Sequence, residues 1–211
     1  MKRLIAASLF AAPLFALAAP VNLLTNGSFE STTVSNGSFV ILDSIPGWTV
    51  GPHGVELRNN VAGSALNGSN FAELDTTTNS WISQSLSTVL GASYTLTFSY
   101  ANRPDNQGAV SNGLSWSIGS LSGTVGADTA TSWQSFTTSF TGTGSPMTLR
   151  FGAVGRSDSY GTSLDNISVI AAAGAGGNAA AVPEPQSLAL MLAGLGAMGL
   201  VLRRRKGAGK V

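Results

Sequence analysis

The 211-residue chain has no cysteine, a single histidine and only 10% charged residues. Without cysteine there is no disulfide framework, no thiolate metal site and no thiol nucleophile, so any folded part must hold together on its core. The one histidine, His53, lies in the turn-like run Gly51-Pro52-His53-Gly54 with no nucleophile motif around it. There is also no zinc-binding histidine pair and no phosphate-cradling glycine loop. Basic residues are scarce in the middle of the chain, where Arg58, Arg103, Arg150 and Arg156 stand against nine acids between Glu30 and Asp165, a net charge of −5. Such a domain is poorly suited to nucleic acid, whose phosphates are neutralised by Lys and Arg. Long apolar runs are missing from the same stretch and occur only at the two ends.

At the N-terminal end Lys2 and Arg3 precede an apolar run from Leu4 to Ala18, and Ala16 and Ala18 supply the small residues that signal peptidase needs. Residues 1–18 are therefore expected to be a cleaved signal peptide. A run of this length covers about 22 Å as a helix, short of a hydrocarbon core of roughly 30 Å. The C-terminal end has four parts in order: a small-residue linker at 171–181, Val182-Pro183-Glu184-Pro185, an apolar run from Leu188 to Leu202, and Arg203, Arg204, Arg205 and Lys206. The linker cannot bury enough surface to order itself and suits a flexible tether. Two prolines keep the backbone extended for a processing enzyme. Residues 188–202 are expected to form a short transmembrane helix, with the basic cluster held on the cytoplasmic side. That orientation leaves the middle of the chain outside.

Pro183-Glu184-Pro185 followed by a glycine-bearing apolar stretch and an arginine cluster resembles the PEP-CTERM sorting signal, here at residues 182–206. The resemblance implies recognition by an exosortase, a membrane cysteine protease-transpeptidase of Gram-negative bacteria that often make exopolysaccharide. It also implies passage through the inner membrane during sorting and a mature protein at the cell surface or outside the cell. The alternative for the same residues is a plain membrane anchor.

Residues 21–170 read as one all-β ectodomain. Period-two alternation broken by Gly, Asn, Ser and Thr marks many short strands, and no amphipathic helix stands out. The clearest strand is 92–101, with Tyr94, Leu96, Phe98 and Tyr100 on one face and Ser93, Thr95, Thr97 and Ser99 on the other. Further strands are expected at 39–42, 55–58, 70–74, 80–86, 114–118, 121–125, around 136–140, around 149–153, and at Ile167 and Val169. About ten such strands fit a two-sheet antiparallel jelly-roll sandwich, with an immunoglobulin-like sandwich as the alternative.

The order Asn26-Gly27-Ser28-Phe29-Glu30, Pro46-Gly47-Trp48, Phe71-Ala72-Glu73-Leu74-Asp75 and Leu164-Asp165-Asn166-Ile167 resembles the galactose-binding-like jelly rolls, which include carbohydrate-binding modules. That resemblance implies a structural calcium where the first and last strands meet, held here by Glu30 and Asp165. Without the metal the two are ordinary turn acids bonded to local amides. A sugar site needs rings for stacking and polar partners, and the candidates are Trp48, Trp81 and Trp133 with Glu56, Arg58, Glu73, Asn102 and Arg103. Trp48 and Trp133 equally suit packing. Glu73 and Asp75 lie two apart and share a strand face, which does not distinguish a glycosidase pair from a wet surface.

The leading expectation is an exported, non-enzymatic carbohydrate-binding protein whose ligand is a polysaccharide such as exopolysaccharide. The alternatives are a structural or adhesive envelope protein acting through protein contacts, and a polysaccharide hydrolase.

Overall fold

The structure, a computed structural model, describes residues 21–105 and 108–172. The expected signal peptide with Ala16 and Ala18, most of the 171–181 linker, the helix at 188–202 and the sorting residues 182–206 lie outside the described residues.

Eleven strands follow the alternating pattern: β1 (Ser38–Leu42), β2 (Thr49–Val50), β3 (Val55–Asn59), β4 (Phe71–Glu73), β5 (Trp81–Leu86), β6 (Ser93–Asn102), β7 (Leu114–Ile118), β8 (Leu121–Val125), β9 (Gln134–Thr141), β10 (Met147–Ala153) and β11 (Thr162–Ala171). They form two sheets, a six-stranded one in the order β1-β3-β4-β11-β6-β9 and a five-stranded one in the order β2-β5-β10-β7-β8. Every pairing is antiparallel. This is the jelly-roll sandwich. Ten of the strands coincide with sequence expectations; β2, two residues long, was too short to show a period.

The core lies between the sheets because inward positions of both carry large apolar side chains. Phe98 on β6 is the hub: its ring lies 5.0 Å from Phe136 of β9 and 4.9 Å, edge-on, from Phe151 of β10 in the other sheet. Trp116 of β7 closes the group 4.8 Å from Phe136. Rings at these spacings add about 0.5–1.5 kcal/mol per pair beyond their buried area. The register supports this packing, since Phe98 sits opposite Phe136, and Tyr94 opposite Phe140.

The expected division of β6 into one dry and one wet face holds only for its first half. Thr95 and Thr97 are half-buried, but Ser99 and Ala101 are buried on the outward side. The cause lies in the loops, because the outer face of the larger sheet is partly roofed by the β3–β4 connection. Trp133 packs edge-on against Phe71 at 6.0 Å and donates from Nε1 to the Ser64 carbonyl at 2.9 Å, pinning that roof.

Candidate functional site

On β3, Val55 and Leu57 point into the core, so Glu56 and Arg58 must share the outer face. Glu73 on the neighbouring β4 is opposite Glu56 in the register. Arg58 therefore stands between two carboxylates: its Nε donates to Glu56 Oε1 at 2.6 Å, and its Nη1 pairs with Glu73 Oε2. Arg103, just past β6, approaches the same Glu73 oxygen at 3.6 Å and is gripped by Asp105 through two bonds of 2.8 and 2.7 Å. Its Nη1 also donates to the Ser159 carbonyl at 2.8 Å, and its guanidinium lies 4.6 Å over the Tyr160 ring.

Burial makes this cluster electrostatically unusual. Glu73 is wholly enclosed, and desolvation pushes its carboxyl up to about 8 against the opposing pull of Arg58, the Gly161 amide and Arg103. Asp105, by contrast, is held below the usual carboxylate range by its bonds to Arg103. The network opens on one side into a cleft of about 240 Å³ lined by Phe39, Glu56, Arg58, Ala62, Arg103 and Tyr160. Phe39, on edge strand β1, is 53% exposed, so a ring faces solvent beside fixed charged groups.

Four of the eight candidates, Glu56, Arg58, Glu73 and Arg103, are thus brought together, and Trp48, Trp81, Trp133 and Asn102 are not. Trp48 is buried in the core between Phe29 and Phe151, with Nε1 donating to the Asn26 carbonyl at 3.1 Å. Trp81 lies in the other sheet under Arg150, whose guanidinium is 3.9 Å from the ring centre. Arg150 also borders a larger hollow of about 330 Å³ with Ser115, Ser117, Ser122 and Thr124. That hollow is bigger, and Trp116 also borders it, but that ring is 7% exposed and packed into the core, so the hollow presents mainly hydroxyls. Asn102 serves the loops instead, accepting from Thr162 Oγ1 and donating to Asp128. Phe39 and Tyr160 were missed by sequence reasoning. An exposed phenylalanine on a strand with Val40 and Leu42 facing inward was the available signal for the first.

Glu30 and Asp165 converge on one loop. Asp165 Oδ2 accepts the amides of Leu66 and Asn67, both at 2.8 Å, and Oδ1 accepts that of Asn166 at 2.6 Å. Glu30 Oε1 accepts the amides of Ser69 and Asn70 at 2.9 and 2.7 Å. Burial raises Asp165 to about 6 despite these amides, with Glu30 adding to the rise. Calcium takes six to eight oxygens. Two carboxylates, with three of their four oxygens already accepting amides, leave most of such a shell unfilled. No group of three or more His, Cys, Asp or Glu suited to a metal occurs among the described residues. No helix among them is long and apolar enough to cross a membrane.

A family model described as "Protein of unknown function (DUF642)" matches residues 22–170, and the PEP-CTERM protein-sorting motif matches residues 181–206. No curated protein matches the chain. Among solved structures, the arabinose-bound MgGH51 α-L-arabinofuranosidase is similar over 71% of this chain and 26% of its own, at 10% identity and a TM-score of 0.50. TmCBM61 in complex with β-1,4-galactotriose is similar over 72% and 99%, at 18% identity and 0.48. The enzymatically active domain of bacteriophage CBA120 tailspike protein 4 is similar over 72% of this chain but only 21% of its own length, at 16% identity and 0.49. At these identities the likeness concerns the fold.

Proposed function

We propose a non-catalytic carbohydrate-binding role at the cell envelope for this chain, which belongs to the DUF642 family over residues 22–170 and carries a PEP-CTERM sorting motif at 181–206. The motif marks the protein for export. In this reading residues 1–18 are removed as a signal peptide, and the tag around Pro183, Glu184 and Pro185 is processed by an exosortase. The ectodomain then meets polysaccharide at the surface or beyond it.

The observation that carries the binding role is the cleft on the outer face of the larger sheet. Phe39 and one face of Tyr160 line it with rings, and Arg103 offers a hydrogen-bonding edge backed by the enclosed Arg58 and Glu56. A sugar stacks its C–H face on a ring while its hydroxyls bond to rigid donors and acceptors, so little ordering entropy is lost on binding. At about 240 Å³ the cleft is smaller than the roughly 300–1,000 Å³ of enclosed ligand pockets. An open notch of that size suits one stretch of a longer chain.

A glycan array, followed by calorimetry on the best ligand, tests the proposal. Phe39→Ala and Tyr160→Ala are each expected to weaken binding by about tenfold, near the upper end of what one stacking contact supplies, while Trp81→Ala leaves it unchanged. Absence of binding to every polysaccharide, or equal binding by the two cleft variants, overturns the proposal. A second reading rests on Phe39 and Ile41, exposed side by side on edge strand β1. They also suit an adhesive contact with protein, which would appear as self-association abolished by Phe39→Ala without any glycan affinity.

A further inference from the structure

The loops at one end of the sandwich hold a second polar cluster, which meets the cleft network at Ser159. Asp75 Oδ1, Asn79 Oδ1, Ser80 Oγ and Asp158 Oδ1 are buried, and none has a hydrogen-bond partner among the described residues. All four are oxygens. Asp75 is 1% and Ser80 3% exposed. A buried acceptor without a donor costs about 1–3 kcal/mol, more when charged, and native folds leave few of them. Neither Asp75 nor Asp158 belongs to any ion pair among the described residues.

Three of the four side chains are also tied down at their other ends. Asp75 Oδ2 accepts the amides of Asp158 and Ser159, both at 3.0 Å, so the two acids are held at one junction. Asp158 Oδ2 accepts from Ser111 Oγ at 2.7 Å. Asn79 Nδ2 donates to the Gly155 carbonyl at 2.8 Å, which fixes the amide orientation and leaves Oδ1 as its free end. The Asn79 amide donates to Ser157 Oγ at 2.9 Å, and Asn79 bridges to Asp75 across the loop. Three side chains each have one end bonded and one oxygen unclaimed. This is how outer bonds orient the ligands of a metal ion.

We propose that Asp75, Asp158, Asn79 and Ser80 form a calcium site that clamps the β4–β5 loop to the β10–β11 loop. Two carboxylates, an amide carbonyl and a hydroxyl make an all-oxygen donor set, which selects a hard cation. Calcium tolerates an irregular shell completed by water, whereas magnesium demands near-ideal octahedral geometry. With only two charged ligands the affinity falls among extracellular modules, with a Kd of about 0.1–1 mM.

Terbium luminescence on the full chain provides the test, because Trp81 follows Ser80 and a Cβ placed on Gly51 would touch both its ring and Ser80 Oγ. Excitation of tryptophan is expected to give terbium emission that calcium displaces and magnesium displaces far less well. Asp75→Asn and Asp158→Asn keep an oxygen to accept the locking bonds, and melting in chelator checks that both fold. Each is expected to weaken calcium binding by about tenfold or more, whereas Glu30→Gln leaves it unchanged. Calcium is also expected to raise the melting temperature of wild type but not of the two variants. No emission together with an unchanged melting temperature at roughly 10 mM calcium overturns the site. So does calcium binding that survives both aspartate substitutions.

Discussion

Arg58 is 1% exposed, and its worth depends on both carboxylates that hold it. Buried ions are kept only when paired, since removing one partner leaves a charge stranded in a poor dielectric. Glu73 bears most of that tension. Its carboxyl sits at about 8 when folded, against an ordinary carboxylate near 4.5, and Asp165 at about 6 against 3.8. A group with a raised folded pKa contributes stability fully present below its unfolded value and lost as pH climbs through the folded one. The melting temperature is therefore expected to be highest on the acidic side, near pH 4, and to fall as pH rises to about 8. Glu73→Gln should flatten the profile between about pH 6 and 8 and make it shallower between about pH 4.5 and 6, where the loss from Asp165 remains. A profile that rises from pH 5 to 8 would show that the guanidiniums outweigh desolvation at Glu73. Strand parity made part of this cluster legible in the sequence: Glu56 and Arg58 lie two apart beside Val55 and Leu57. That Arg103 would reach the same carboxylate depends on loop geometry carrying no local signal. The unclaimed oxygens of Asp75, Asn79, Ser80 and Asp158 depend on loop geometry in the same way.

At the scale of elements, β11 shows how a strand can be read in part and misjudged in extent. Its period was visible at Ile167 and Val169, but the strand starts at Thr162, because the register shifts between Asp165 and Ser168 and breaks the alternation. Asn166 adopts a positive φ of 51° at this bulge. The bulge accommodates Gly27, whose carbonyl accepts the Ile167 amide at 2.9 Å, and a Cβ on Gly27 would fall 2.1 Å from the Ile167 carbonyl oxygen. Only glycine permits that approach. Gly27→Ala is expected to cost about 2–3 kcal/mol in a denaturant melt, and a loss below about 0.5 kcal/mol would show that the first segment docks loosely. The longer strands declared themselves through inward aromatics such as Phe98 and Phe136. The two-residue β2 and the roof over the outer face did not, because two residues carry no period and a roofing loop is apolar only at scattered points.

At the scale of the whole molecule, charge and hydropathy separate an address from a working part. Basic and oily residues collect at the ends, and acids and hydroxyls in the sandwich between. That division was legible from composition, as was the sorting motif now matched at residues 181–206. The ligand surface was not, because Trp48, the most conspicuous ring after a turn, packs inside, whereas the open ring at the cleft is Phe39. The most direct measurement is an amide-resolved NMR titration of the protein with the oligosaccharide that binds best. The expected result is saturable shift changes at Phe39, Arg58, Ala62, Arg103 and Tyr160, with the hydroxyl-lined hollow around Ser117 and Thr124 unmoved. Shifts confined to that hollow, or no saturable change at any residue, would contradict a carbohydrate site in the Phe39 cleft.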